Sequence, residues 1–111
     1  MPHAEIKYSD DLAIDPYRIL TRIEEVIQDH DPGAGACKGR AYPASVSHHS
    51  HIMIDISLLY KPHRNRAFRT KLLDALEVAI KREIPTPCAF SLGLRFNEEF
   101  YVTNTHFGVG R

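Results

Sequence analysis

The sequence predicts an α+β domain in which duplicated β-α-β units form a four-stranded sheet, with two helices on one face. The chain has 111 residues, the size of a single domain. A strand–helix–strand pattern over residues 2–46 recurs over residues 51–96, about 50 residues later. Alternate positions along the predicted strands are strongly apolar, and the positions between them carry small or polar residues. This asymmetry predicts that both helices cover the same face of the sheet.

The first unit begins with residues 3–9, in which apolar and polar side chains alternate as in a half-buried strand. Asp15 followed by Pro16 is typical of a helix start. Asp31, with the Pro-Gly pair after it, predicts the end of that helix. The helix carries apolar side chains at helical spacing, namely Ile19, Leu20, Ile23, Val26 and Ile27. A second strand is predicted from Lys38 toward Val46, and the proline within it favours an edge strand or a broken strand.

The second unit repeats this order with a stronger strand over residues 51–59, in which Ile52, Ile54, Ile56 and Leu58 alternate with Met53, Asp55, Ser57 and Leu59. Asn65 is a candidate cap for the second helix, whose outer face should include Arg69. The predicted buried stripe consists of Phe68, Leu72, Ala75, Leu76, Ala79 and Ile80. A fourth strand follows over residues 88–96. A turn then leads to a short C-terminal strand predicted over residues 100–107.

The charges cancel over the whole chain but are segregated along it. Fourteen Lys and Arg residues balance fourteen Asp and Glu residues. Residues 1–35 hold 3 bases and 8 acids, whereas residues 36–72 hold 7 bases and 1 acid. The balance excludes a strongly basic nucleic-acid-binding protein by composition, so no nucleic-acid partner is expected. The basic central segment instead suggests a local site for an anion.

The composition also predicts where the protein works. No apolar run approaches the length of a membrane span, and the first residues lack the basic-then-apolar pattern of a secretory signal. The two cysteines form no disulfide framework. We therefore expect a cytoplasmic protein with reduced thiols and no membrane partner. A sheet with helices on one face only should also gain from association with further subunits.

Pro2 is the first candidate for chemistry. A small residue after Met permits removal of the initiator, which would leave a prolyl secondary amine at the start of the chain. An α-amino group ordinarily has a pKa of about 7.7–8.0, and burial or nearby cations lower it. A neutral prolyl amine could therefore act as a general base near pH 7. The alternative is that Pro2 merely begins a strand, where its missing N–H costs nothing.

Several short motifs follow one another in a recognisable order. The chain opens with Pro-His, followed by Tyr8 and Asp10, and a Gly-x-x-x-x-Arg-Ala stretch places an arginine at position 40. The strand HIMIDISLL, an arginine before the second helix (Arg64) and the tail segment Asn-Thr-His-Phe at 104–107 follow. In this order and spacing the chain resembles the tautomerase superfamily, and most closely its 5-carboxymethyl-2-hydroxymuconate isomerase family, nearly end to end.

The resemblance implies a homotrimer of the tautomerase/MIF-like fold, with the sheets around a central barrel and the helices outside. It implies that Pro2 is the catalytic base and that Arg40 and Arg64 bind substrate. Lys38 stands where relatives carry a further arginine, which makes it a substrate-binding candidate with a compact charge. The implied activity is cofactor-independent keto-enol isomerisation of an unsaturated 2-hydroxymuconate-type dicarboxylate in aromatic catabolism. No metal or organic cofactor is expected.

Other interpretations stay open at this point. The scaffold could support a related Pro2-dependent hydratase, dehalogenase or decarboxylase, or it could be a non-catalytic trimeric ligand-binding module. Arg40 and Arg64 could belong to ordinary salt bridges. The histidines at 48, 49 and 51 could bind a metal, although they lack helical HxxxH spacing and a nearby acid. Cys37 and Cys88 lack CxxC spacing, which argues against redox chemistry.

Overall fold

The computed structural model describes residues 1–110, which form one four-stranded mixed sheet and two long helices. The first unit comprises β1 (His3–Ser9), α1 (Pro16–His30) and β2 (Lys38–Ala44), with a single 3₁₀ turn at Pro32–Ala34. The second comprises β3 (His51–Leu59), α2 (Arg66–Lys81) and β4 (Ala89–Asn97). The predicted fold class is therefore confirmed.

The strands lie in the order β2-β1-β3-β4, so that the two units meet at the centre of the sheet. Within each unit the strands are parallel, β1 with β2 and β3 with β4, as a helical crossover requires. The central pair β1 and β3 is antiparallel, with His3 opposite Ser57 and Glu5 opposite Asp55. Consequently β2 and β4 are the two edges, and the edge position predicted from Pro43 is confirmed.

Both helices cover the same face of the sheet. The buried core combines alternate residues of β1 and β3 with the apolar stripes of α1 and α2. Its fully buried large side chains include Ile6, Ile19, Ile23, Ile54, Leu72 and Leu76. Burial of each such side chain is worth about 1.5–3 kcal/mol, which makes this single layer the main source of stability.

The helix ends form as the capping residues predict. The Asp15 carboxylate accepts a hydrogen bond from the backbone N–H of Arg18 at 3.2 Å, and the Asn65 side chain accepts from that of Phe68 at 3.0 Å. Each bond satisfies a backbone donor that the first turn leaves free. Gly39 serves a different purpose, because a Cβ there would lie 2.6 Å from a terminal carbon of Leu20. β2 and α1 can thus approach closely at this point.

The uncovered face of the sheet, which we call the open face, is polar and charged. Strand alternation and register bring together Glu5 of β1, Arg40 of β2 and Asp55 of β3 in one row across it. Lys38, His3, Ser57 and Arg95 form the next row. Because these side chains are exposed or half-buried in the single chain, the open face is not a dry core.

The prediction of a C-terminal strand over residues 100–107 is wrong. This segment has no strand, and its apolar side chains are exposed, with Phe100 at 99% and Val102 at 82%. Phe100 also has a positive φ of 50°, which turns the backbone away from extended geometry. A strand needs a neighbour to satisfy its backbone groups, and nothing in residues 1–110 pairs with this one.

Within residues 1–110, the helices are too short or too polar to cross a bilayer.

Candidate functional site

Pro2 lies buried at the beginning of β1, at one end of the sheet. Its side chain is less than 2% exposed, and its carbonyl accepts a hydrogen bond of 2.9 Å from the backbone N–H of Lys38. This bond extends the parallel pairing of β1 and β2 by one residue beyond His3. The start of the chain is therefore held against the start of β2 by its backbone.

The amino group beside Pro2 is in an environment that favours its neutral form. Burial, followed by the positive charges of Arg64 and Lys61, lowers the pKa of the Met1 amine below its ordinary value of 8.0. Burial acts by removing water from the ammonium, and each cation acts by repelling it. Position 61 was not among the residues that the sequence singled out. It belongs to the basic run between β3 and α2, and that run was the available signal.

Arg64 is the most tightly held cation at this end of the sheet. Its side chain is 3% exposed, and its Nε donates to the Asp31 carboxylate at 2.8 Å. Its Nη1 donates to the Leu59 carbonyl at 2.7 Å. His63 Nε2 lies 2.8 Å from the same Asp31 oxygen. The loop before α2 is thereby tied to the end of α1, with the Arg64 guanidinium close enough to lower the pKa of the Met1 amine.

Asp31 is ionised in this arrangement. Burial acts to raise its pKa, but the hydrogen bonds from His63 and Arg64 outweigh burial and hold the pKa below its ordinary value of 3.8. The sequence presented Asp31 only as a residue that ends a helix. The Asp31 side chain makes no capping hydrogen bond to the 3₁₀ turn that follows it. It bonds instead to His63 and Arg64, in the loop before α2. Because Arg64 lies 33 positions from Asp31 in the sequence, no local sequence pattern predicts this pair.

Arg40 and Lys38 lie on the open face instead. The Arg40 guanidinium donates to Glu5 through Nη2 at 2.8 Å and Nε at 3.1 Å. Its side chain is 40% exposed, and Glu5 also lies 3.9 Å from the Lys7 ammonium. Lys38 is exposed and stands opposite His3. In the single chain, therefore, Pro2, Arg64 and the Lys38 backbone come together, whereas the Arg40 side chain is engaged elsewhere.

The remaining candidates show other environments. Burial and the nearby Glu24 carboxylate raise the pKa of Cys37 to about 11, which disfavours the reactive thiolate. Cys88 packs partly buried against the core. The rings of His48 and His49 lie 6.1 Å apart between centroids, tilted by 52°, on an exposed loop. Among residues 1–110, no group of three His, Cys, Asp or Glu side chains is arranged to hold a metal.

The sequence also misplaced Arg69, which it assigned to the outer face of α2. Its guanidinium carbon lies 4.1 Å from the ring centroid of Phe96 and 5.8 Å from that of Tyr60. The side chain is half-buried and forms one wall of a cavity between α2 and β4. Helical periodicity alone misses such a position, because β4 extends beneath this part of the helix.

Comparison with solved structures identifies the fold. The chain matches a crystal structure of 5-carboxymethyl-2-hydroxymuconate delta-isomerase at 17% identity and a TM-score of 0.65, covering 97% of this chain and 89% of that one. It matches a 5-carboxymethyl-2-hydroxymuconate isomerase from Deinococcus radiodurans R1 at 20% identity and a TM-score of 0.66, covering 94% and 90%.

A third similar structure is a fused 4-OT described as a wild-type symmetric trimer. The identity is 13% and the TM-score 0.66, with 96% of this chain and 94% of that chain covered. No protein-family model and no curated protein matches the chain. At these identities the likeness establishes the tautomerase fold across nearly the whole chain, in agreement with the resemblance inferred from the sequence.

Proposed function

We propose that the protein is a cofactor-independent keto-enol tautomerase that isomerises an unsaturated 2-hydroxymuconate-type dicarboxylate, with the Pro2 amine as proton carrier. The observation that carries the proposal is the buried position of Pro2 at the start of β1, where burial and the charges of Arg64 and Lys61 lower the pKa of the neighbouring Met1 amine. A base that works near pH 7 must be largely neutral there, and the same burial and cations would act on the Pro2 nitrogen once removal of Met1 frees it. The shared fold of solved muconate isomerases supports the same choice of chemistry.

In the proposed reaction, the Pro2 nitrogen takes the proton of the substrate's 2-hydroxyl group. The electron pair moves through the diene, and the prolinium returns the proton to C5. The result is a 1,5-proton shift that gives the conjugated ketone, with no change of oxidation state. Arg64 stabilises the negative charge that develops on the 2-oxygen, a role suited to a buried, preorganised guanidinium.

The proposal places the working enzyme in a homotrimer. The open face carries charged and polar side chains together with Met53, which is 42% exposed in the single chain. Three such faces around an axis would exclude water from Glu5 and Arg40 and would bring their charges close to those of a neighbour. The similar fused 4-OT is a symmetric trimer, which supports this assembly. We further propose that the trimer acts in the cytoplasm, in the breakdown of aromatic compounds.

The test replaces Pro2 and measures both mass and rate. Intact mass of the purified protein should show loss of Met1, because only then is the prolyl nitrogen free. Pro2→Ala should lower kcat/KM on a 2-hydroxymuconate-type dienol by about 100-fold or more, the usual contribution of a positioned base. Pro43→Ala, a proline change in the exposed part of β2, should leave kcat/KM within about twofold.

Retention of Met1 would contradict the proposal, since a peptide bond would then block the nitrogen. Equal rates for Pro2→Ala and Pro43→Ala would contradict it as well, and would favour a non-catalytic ligand-binding module. Assays with halogenated and keto-acid substrates distinguish the proposed isomerase from another Pro2-dependent enzyme of the same fold. Pro2-dependent turnover of one of these, without turnover of the dienol, would indicate a hydratase, dehalogenase or decarboxylase.

A further inference from the structure

A cavity of about 370 Å³ lies between the first half of α2 and the edge strand β4. Its lining combines Arg66, Arg69 and Thr70 with the apolar side chains of Leu73, Leu94 and Phe96. This volume falls within the usual range for small-molecule sites, which are largely apolar with a few polar groups that fix orientation. The lining contains two guanidinium groups, one hydroxyl group and no carboxylate, so its chemistry suits an anion with an apolar body.

The two arginines of this cavity form no salt bridge with a carboxylate of the described residues. Arg40 and Arg64, which the sequence singled out, pair with Glu5 and Asp31 at 2.8 Å. Arg18 and Arg22 pair with Glu83 and Glu25. Among residues 1–110, by contrast, no carboxylate lies within 4.0 Å of the guanidinium groups of Arg66 and Arg69. Neither guanidinium forms an ion pair with an acidic side chain in the described chain.

Arg69 is held in one orientation without the use of its terminal nitrogens. Its Nε donates to the Arg64 carbonyl at 2.8 Å, and its guanidinium stacks on the Phe96 ring at 4.1 Å. Within the part of the chain that the structure describes, the two Nη groups have no hydrogen-bond partner. A stacked guanidinium of this kind offers a planar pair of donors that matches a carboxylate, with little entropy left to lose on binding.

The cavity lies at the same end of the sheet as Pro2. Phe96 is opposite Leu58 in the parallel pair of β3 and β4, and Leu58 follows Ser57, the partner of His3. Pro2 precedes His3, so Pro2 and Phe96 occupy the same level of the sheet, two strands apart. At about 4.8 Å per strand, this separation is roughly 10 Å. The Arg64 backbone, through its carbonyl, links Arg69 directly to the segment beside the amine.

We propose that this cavity is a carboxylate-binding subsite, with Arg69 as its principal ligand and Arg66 as an auxiliary cation. It takes a carboxylate attached to an apolar chain, and it anchors the distal carboxylate of the dicarboxylate substrate. The anchoring of the substrate's distal carboxylate rests on the proposed function, whereas the binding of a carboxylate to the cavity does not. Arg69 is then the residue that distinguishes a dicarboxylate from a monocarboxylate.

Calorimetric titration with adipate, a six-carbon dicarboxylate, tests the subsite without any catalysis. Arg69→Met, which keeps an unbranched apolar side chain at this position, should weaken adipate binding by about 10- to 100-fold through loss of charge-assisted hydrogen bonds. Lys71→Met removes an exposed cation of the same helix that does not line the cavity, and it should change the affinity by less than twofold. Arg66→Met should show a smaller loss than Arg69→Met.

Absence of adipate binding to the wild-type protein would overturn the subsite, and so would equal affinities for Arg69→Met and Lys71→Met. The kinetic arm compares the dicarboxylate dienol with 2-hydroxyhexa-2,4-dienoate, which carries a methyl group in place of the distal carboxylate. Arg69→Met should raise KM about 10- to 100-fold for the first and leave KM unchanged for the second. Equal losses on both would overturn the anchoring role. If adipate binds through Arg69 but neither dienol is turned over, the proposed function fails and the subsite stands.

Discussion

Arg64 and Arg40 each pair with a carboxylate at 2.8 Å, but the two pairs occupy very different regions of the molecule. The Arg64–Asp31 pair lies at the amine end of the sheet, with side chains 3% and 11% exposed. The Arg40–Glu5 pair lies on the open face, with side chains 40% and 34% exposed. The first pair connects two loops and fixes a charge beside the amine. The second connects neighbouring strands across a surface that remains wet in the single chain.

The difference shows that a shared chemistry does not imply a shared role. A buried pair is costly to break because the remaining charge stays in a poor solvent, whereas an exposed pair exchanges its partner for water at little cost. Arg64 is thus a fixed part of the amine's surroundings. Arg40, in contrast, can leave Glu5 when a substrate or a neighbouring subunit offers a better partner. Substitutions at each carboxylate can test this contrast.

The largest effect on stability is expected for Asp31→Ala. This change leaves the Arg64 guanidinium buried without its carboxylate, and removal of one member of a buried pair typically costs about 3–5 kcal/mol. Urea denaturation should therefore show a much lower midpoint with a similar slope. A loss no greater than that of an exposed substitution would contradict the distinction between the two pairs.

A smaller, pH-dependent effect should come from the same carboxyl group. Because the pKa of Asp31 is lower in the folded chain than its ordinary value of 3.8, its ionised form stabilises the fold above about pH 4. That contribution is lost as the pH falls through the folded pKa. The stability difference between wild type and Asp31→Asn, measured by urea denaturation at pH 6, 4 and 3, should therefore shrink toward acid. A constant difference would mean that another interaction of Asp31 dominates.

The smallest effect is expected for Glu5→Gln on the open face. The Arg40 hydrogen bond, with a contribution from the Arg40 charge, holds the pKa of Glu5 below its ordinary value of 4.5, but both groups contact water. The urea midpoint should thus shift far less than for Asp31→Ala. If Arg40 binds substrate, its release from Glu5 should lower KM for the dicarboxylate dienol. An unchanged KM would leave Arg40 as a residue of the open face alone.

Much of the fold was predictable because its determinants are local. The alternation in β1 and β3, the Asp15 and Asn65 caps and the Asp31 stop signal act over a few residues, and the structure confirms them. The tail at 100–107 was not predictable in this way. The turn before it suggested a following strand, but a strand also requires a partner, and local sequence carries no information about one.

Of the candidate site, only Pro2 and the cations were predictable. A basic segment and a resemblance pointed to Arg40 and Arg64, but their carboxylate partners lie 35 and 33 positions away. Glu5 could have been inferred from strand alternation together with the register of β1 and β2. Asp31 could not, because its contact with Arg64 depends on how the ends of two connections meet. The cavity beside Arg69 likewise depends on the placement of β4 beneath α2.

The most direct test of Pro2 as the catalytic base is the pKa of the prolyl amine in the mature protein, measured by ¹⁵N NMR titration after labelling with ¹⁵N-proline. We expect one prolyl nitrogen to titrate below 8.0, because removal of Met1 would expose the Pro2 amine to the burial and the Arg64 and Lys61 charges that lower the pKa of the Met1 amine. A value at or above 8.0, or no titrating prolyl nitrogen at all, would contradict the claim that Pro2 is a neutral base near pH 7.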